Sequence, residues 1–124
     1  MKQNTNLTEE QKKVMFEGGT EVAFTSELLN NKEEGIYKCA NCGHYLFSSK
    51  NKFDSGSGWP SFDKVVSLES VITRDDNSHG MNRVEVLCKN CNAHLGHVFG
   101  DGPKNTTGNR YCINGTCLAF EKED

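Results

Sequence analysis

Two Cys-x-x-Cys pairs constrain this chain more than any other feature. Cys39-Ala-Asn-Cys42 and Cys88-Lys-Asn-Cys91 each end in a short polar turn able to present two thiolates to one ion, and together they supply four sulfur ligands. The 45 residues between Cys42 and Cys88 exceed the spacer of a compact zinc ribbon, so a stretch of sheet must be inserted between the halves of the clasp. The metal is therefore expected to join distant parts of the chain. A redox Cys-x-x-Cys of the thioredoxin kind would need a strand–helix–strand context that is missing here. A closed shell of Cys39, Cys42, Cys88 and Cys91 leaves no position for water. One structural Zn2+ per chain is expected, stabilising the fold and doing no chemistry. His44, two residues past Cys42, reads as an ordinary turn histidine.

Composition explains why such a clasp is useful. Of 124 residues only 35% are hydrophobic and 25% are charged, which is lean for a chain that must exclude water from its centre. The length suits a single domain over residues 1–124, with its core at 7–120 and frayed ends at 1–6 and 121–124. Fourteen Lys and Arg against 17 Asp and Glu give a net charge of -3. Binding to phosphate backbones wants the opposite sign, so no nucleic-acid partner is expected. The first ten residues hold no apolar run, and no apolar stretch approaches the roughly 18 residues of a membrane span. Neither a leader nor a membrane association is expected; six cysteines then read as reduced thiols in a cytoplasmic monomer.

Thr8-Glu-Glu-Gln11 is a capping box followed by helix formers to Glu17 and by Gly18-Gly19, the one clear helix signal. Short β-like runs follow: 36–39, 45–47, 65–72, 83–88, 97–99, 111–113 and 118–120, broken by Gly, Asn, Asp and Ser. The body is expected to be mainly antiparallel sheet. Segments 54–58 and 100–109 read as long loops, and Arg74 to Gly80 as a solvated one.

Beyond the four candidate ligands stand Cys112 and Cys117. Strand alternation in Arg110-Tyr-Cys-Ile-Asn114 puts Arg110, Cys112 and Asn114 on one face and Tyr111 with Ile113 on the other. A guanidinium two residues from a thiol on the same face favours the thiolate, which is what a nucleophile needs. His94-Leu-Gly-His97 adds two histidines, which diverge on a regular strand unless Gly96 marks a bulge that turns one back. They suit proton transfer better than metal binding. Trp59, the sole tryptophan, follows a Gly-rich loop and reads as either core or site.

These residues resemble a known family, the B-type methionine sulfoxide reductases, which reduce the R epimer of methionine sulfoxide. The likeness is carried by Gly58-Trp-Pro-Ser-Phe62, Cys91-Asn-Ala-His-Leu-Gly-His-Val-Phe99 with Asp101-Gly-Pro103, Arg110-Tyr-Cys-Ile-Asn114 and the two Cys-x-x-Cys pairs. Gly19-Thr-Glu21, Lys52-Phe-Asp-Ser55 and Ser78-His-Gly-Met81 extend it from about Leu7 to Phe120. The resemblance implies two antiparallel sheets in one compact domain, Cys112 as nucleophile, and His94, His97 and Asn114 around the sulfoxide. It further implies Arg110 supporting the thiolate, Trp59 with Phe99 against the substrate, a structural zinc, and thioredoxin or another thiol as reductant for a site acting on oxidised proteins. The chemistry agrees: a thiolate attacks sulfur while the sulfoxide oxygen gains protons, leaving a sulfenic acid on Cys112.

One family feature is missing. Many relatives carry a resolving cysteine where Ser57 stands, and serine cannot form a disulfide. Cys117 is the spare thiol. On one continuous strand it would lie about 16 Å from Cys112, beyond the roughly 7 Å reach of a disulfide. A two-residue hairpin at Asn114-Gly115 would instead oppose the two thiols. The extended form is preferred, because a hairpin would pull Asn114 out of the site. The competing function is a zinc-clasped binding module without catalysis, in which Arg110 and the histidines are surface contacts.

Overall fold

The computed structural model describes residues 6–77 and 80–123. The expectation about residues 1–5, and Ser78 and His79 of the Ser78–Met81 motif, lie outside that range. Helix α1, Glu9–Glu17, begins as its capping box dictates: the Thr8 hydroxyl accepts from Gln11 N–H at 3.1 Å and Gln11 Oε1 accepts from Thr8 N–H at 2.8 Å. Gly18, at φ 71°, closes it in the left-handed region. Val14 and Met15 face the core, and Gln11 Nε2 donates to Thr116 O, tying the helix to the chain beyond Cys112.

Nine strands follow among the described residues: β1 Gly35–Cys39, β2 Tyr45–Ser48, β3 Lys52–Phe53, β4 Ser61–Phe62, β5 Val71–Asp76, β6 Arg83–Cys88, β7 His94–Phe99, β8 Arg110–Ile113 and β9 Leu118–Lys122. They form two antiparallel sheets, β2-β1-β9 and β3-β4-β8-β7-β6-β5. An aromatic cluster joins the sheets. Phe47 on β2 stacks on Phe62 of β4 with centroids 4.4 Å apart, Tyr37 meets the same ring edge-on, and Tyr111 on β8 completes the contact. Tyr37, Phe47 and Phe62 are fully buried, each removal from water being worth about 1.5–3 kcal/mol. This cluster fixes the backs of β4 and β8 and so the position of Cys112 on the opposite side.

Three sequence expectations need correction. The run 65–72 is strand only from Val71, because Val65 to Leu68 find no partner strand; Leu68 stays 90% exposed. Residues 74–76, read as solvated loop, continue β5 and pair with Glu85, Val84 and Arg83. β5 is the outer strand of its sheet, so its side chains can be polar while the backbone is paired. Nor is the chain frayed over Glu121–Glu123, Asp124 lying outside the described residues. Glu121 and Lys122 pair with Ile36 and Gly35, Glu123 N–H donates to Glu34 O, and Glu121 takes an ion pair from Lys38 at 2.9 Å. Charged side chains point away here while the backbone supplies the ladder.

Candidate active site

The four clasp sulfurs all lie within 4.8 Å of one another, with Cys39 to Cys91 at 3.7 Å and Cys42 to Cys88 at 3.6 Å. A tetrahedron with metal–sulfur bonds of about 2.3 Å has edges of about 3.8 Å, so the donor set fits one metal ion. The two knuckles are built alike. Gly43 N–H donates to Cys39 O and Asn92 N–H to Cys88 O, and these equivalent residues take the left-handed conformation at φ 79° and 62°. Shared hydrogen bonding pushes the Cys88 thiol down to about 5 and the Cys39 thiol far up, as expected of crowded sulfurs that cannot all ionise without a cation. β1 and β6 belong to different sheets, so the clasp brings together not only distant parts of the chain, as the long spacer implied, but the two sheets themselves. His44 stands apart from it, its Nε2 on Glu69 O.

Away from the clasp lies a cavity of about 230 Å³, walled by Thr20, Ser57, Trp59, Arg83, Gly96, His97, Phe99, Arg110, Cys112 and Asn114. Alternation along β8 puts its side chains there: Tyr111 and Ile113 enter the core, Arg110 and Cys112 face the cavity, and Asn114 follows on the same side. Arg110 is held by Asp101, Nε to Oδ1 at 2.8 Å and Nη2 to Oδ2 at 3.3 Å, with its guanidinium carbon 4.4 Å above the Phe99 ring. It does not by itself leave Cys112 easily ionised. Burial pushes the Cys112 thiol above its ordinary value, outweighing the Ser57 hydroxyl and Arg110, while the Asp101 carboxylate adds to the rise. The sequence argument from Arg110 had the sign of that one influence right and missed the larger cost of taking a thiolate out of water.

A bulge of the kind that would turn one histidine back is present, but its extra residue is Leu95 and Gly96 itself is paired: Val86 pairs with Gly96 and Leu87 with His94. Both rings thereby come to the same side, centroids 5.5 Å apart. Only His97 lines the cavity; His94 is buried behind it. Each is held by a carboxylate that sequence reasoning missed. His94 Nδ1 meets Glu85 Oε2 at 2.7 Å, with Arg74 on the other oxygen, and His97 Nε2 meets Asp76 Oδ2 at 2.8 Å, with Arg83 on the same oxygen. Burial lowers the His97 pKa against the opposing pull of Asp76. A lone carboxylate inside the apolar run Val84-Glu-Val-Leu87 was a usable signal for Glu85. Asp76 was hidden by the misread strand.

Trp59 walls the cavity and is aimed by Nε1 donating to Glu21 O at 3.0 Å. Asn114 lines it too, yet both its polar ends are committed to backbone: Oδ1 accepts from Glu21 N–H and Nδ2 donates to Leu95 O. Buried Glu21, unassigned from the sequence, caps the next turn through Gly115 and Thr116 N–H. That turn, a 3₁₀ segment Gly115–Cys117, is neither the continuous strand nor the hairpin considered above. It carries the chain into β9 of the other sheet and buries Cys117, whose thiol donates to His94 O at 3.4 Å. At the cavity it is Ser57 that faces Cys112, Oγ to Sγ 3.8 Å.

The fold thus places a half-buried thiol in a small cavity beside carboxylate-held histidines, apart from a four-sulfur clasp. Residues 7–122 match the SelR domain model. Relatives include the peptide methionine sulfoxide reductases MsrB of Methanosarcina mazei, 55% identical over 95% of this chain and 84% of its own length, and of Leptospira interrogans, 54% identical over 94% and 88%. Mitochondrial methionine-R-sulfoxide reductase B3 of Mus musculus is 54% identical over 95% of this chain and 46% of its own. The chain belongs to the SelR domain family of B-type methionine sulfoxide reductases. The crystal structure of the Mis18 Yippee-like domain superposes with a TM-score of 0.59 over 74% of this chain and 99% of that one, at 17% identity, a likeness of fold alone.

Proposed function

We propose that this single-domain chain is an oxidoreductase that reduces methionine R-sulfoxide in oxidised proteins, with Cys112 as nucleophile and Zn2+ as the structural ion of the clasp. The observation that carries the reading is the Cys112 thiol in a cavity it shares with His97, Trp59 and Phe99. The net first step oxidises Cys112: thiol plus sulfoxide give sulfenic acid plus thioether. The thiolate attacks the sulfoxide sulfur and forms an S–S bond, the oxygen takes up two protons and leaves as water, and a water then adds to the Cys112 sulfur, breaking the S–S bond to release the thioether and a proton and leave the sulfenic acid. With Nε2 committed to Asp76, the Nδ1 of His97 is the ring nitrogen left to exchange those protons. His94 acts from behind it, while Asn114 and Arg110 fix the end of β8. Trp59 and Phe99 supply an apolar wall for the substrate methyl.

Recycling falls to an outside thiol. Cys117 is fully buried and hydrogen-bonded, and the residue facing Cys112 is a serine, so an external thiol, such as thioredoxin, attacks the sulfenic acid and releases water. A second thiol then frees Cys112. A monomer working in the cytoplasm suits this scheme. None of the described helices is long and apolar enough to cross a membrane.

Cys112→Ser abolishes loss of dabsyl-methionine R-sulfoxide with dithiothreitol present, since a hydroxyl is a far poorer nucleophile at neutral pH, and its thermal transition stays unchanged. Activity within about tenfold of the wild type would falsify the assignment. Separated epimers test the pocket: R is preferred over S by on the order of a hundredfold, because S presses its oxygen on the indole without donors. Comparable rates on the two would refute the reading, and a zinc-clasped binding module would reduce neither.

A further inference from the structure

Three serine hydroxyls run in a line to the reacting sulfur. Ser61, almost wholly buried on β4, donates to Trp59 O at 3.1 Å. Its proton is thus spent, and toward Ser55 Oγ, 2.7 Å away, it can only accept. Ser55 therefore points its proton at Ser61 and can only accept from Ser57 Oγ at 2.8 Å. Ser57 is left as the one hydroxyl in the row with a choice. Its proton can turn to Ser55 Oγ or, more distantly, to Trp59 O at 3.5 Å while it accepts from the Cys112 thiol, or turn to Cys112 Sγ, 3.8 Å away, when that sulfur is ionised. Backbone N–H groups hold the row in either state: Trp59 N–H donates to Ser57 Oγ at 3.4 Å and Ser57 N–H to Ser55 Oγ at 3.3 Å.

We propose that Ser57 is a catalytic residue that donates its hydroxyl proton in a hydrogen bond to the ionised Cys112 sulfur, with Ser55 and Ser61 as positioning residues that aim it. The inference rests on Cys112 being the nucleophile and adds to that reading the partner that makes the thiolate accessible. Arg110 is poorly placed to do this alone, since Asp101 and the Phe99 ring hold its guanidinium. Removing the hydroxyl also removes the strongest influence opposing burial at this thiol. Facing Cys112 are Arg110 on its own strand with Asp101, His97 on β7 and Arg83 on β6; a change at Ser57 alters none of these charges.

Iodoacetamide alkylation of Cys112 against pH, followed on Cys117→Ser protein by intact mass, reads the thiol directly and needs no sulfoxide. In Ser57→Ala the midpoint moves up by about 0.5–1 pH unit, and single-turnover reduction at neutral pH falls about three- to tenfold, recovering at alkaline pH. Ser57→Thr, which keeps a hydroxyl, holds the wild-type midpoint, and Ser55→Ala moves it part of the way. An unmoved midpoint in Ser57→Ala, a rate loss equal at every pH, or a Ser57→Thr variant as shifted as Ser57→Ala would overturn the proposal. If the midpoint shifts but wild-type protein reduces no sulfoxide, the hydrogen bond stands and the assigned reaction falls.

Discussion

At the level of single residues the cavity is governed by what burial does to charge. The folded environment keeps Cys112 and His97 uncharged more readily than water would, one shifted up and the other down. For His97 the sign follows directly. A depressed pKa favours the neutral ring in the folded state, so its contribution to stability is present above the ordinary histidine value and lost as pH falls below it. Glu85 behaves alike at lower pH: burial pushes it up, but Arg74 and His94 outweigh that and hold it below the usual carboxylate value. Its contribution is lost as pH falls through the acid range, whereas Glu21, raised by burial, gains from the same protonation. The melting temperature of the wild type should therefore fall from pH 7 toward pH 4, and Glu85→Gln should flatten the lower part of that fall. A curve that rises on acidification would contradict the carboxylate–histidine pairs. Cys117→Ser should leave the first turnover intact, because its thiol is spent on His94 O.

The decisive element is the β7–β8 pair. Gly96 pairs with Ile113, and a Cβ built on Gly96 would lie 2.1 Å from Cys112 O, so only glycine lets the two backbones approach this closely. Gly96→Ala must force β7 and β8 apart at the point where His97 and Cys112 are aligned. It should cost at least about 2 kcal/mol in urea unfolding and reduce activity beyond what lost stability explains. Helix α1 offers the contrast. Thr8→Ala breaks one cap and should cost about 1 kcal/mol with no change in the rate per folded molecule. Equal effects of the two changes on activity would mean that β7–β8 alignment is not what the site depends on.

For the molecule as a whole, the clasp joins two sheets that otherwise meet through the aromatic cluster around Phe47 and Phe62. Binding free energy at such a clasp is largely folding free energy. Elemental analysis should find one zinc per chain, and chelation, Cys42→Ser or Cys91→Ser should lower the melting temperature well before the chemistry of the remaining folded fraction changes. An unchanged transition after complete metal removal would sink the structural assignment.

How much of this was legible in advance depended on whether the information was local. The capping box, the two knuckles and the alternation of Arg110 to Asn114 each lie within a few consecutive residues, where backbone geometry alone decides which atoms can meet, and all three appear as the spacing demanded. That the clasp joins segments distant in sequence followed from loop length; that those segments lie in different sheets did not. What needed the tertiary structure was every fact set by strands distant in sequence: that the polar run at Arg74 to Asp76 is a paired outer strand, that its Asp76 and the Glu85 of β6 hold the histidines, and that Cys117 turns into the core while Ser57 comes to Cys112. Polarity told loop from strand badly, because an outer strand satisfies its backbone on one side and its side chains in water on the other. The ionisation of Cys112 was likewise beyond the sequence, since Arg110 is visible two residues away but the burial that outweighs it, and the Ser57 hydroxyl that opposes that burial, come from the folded chain.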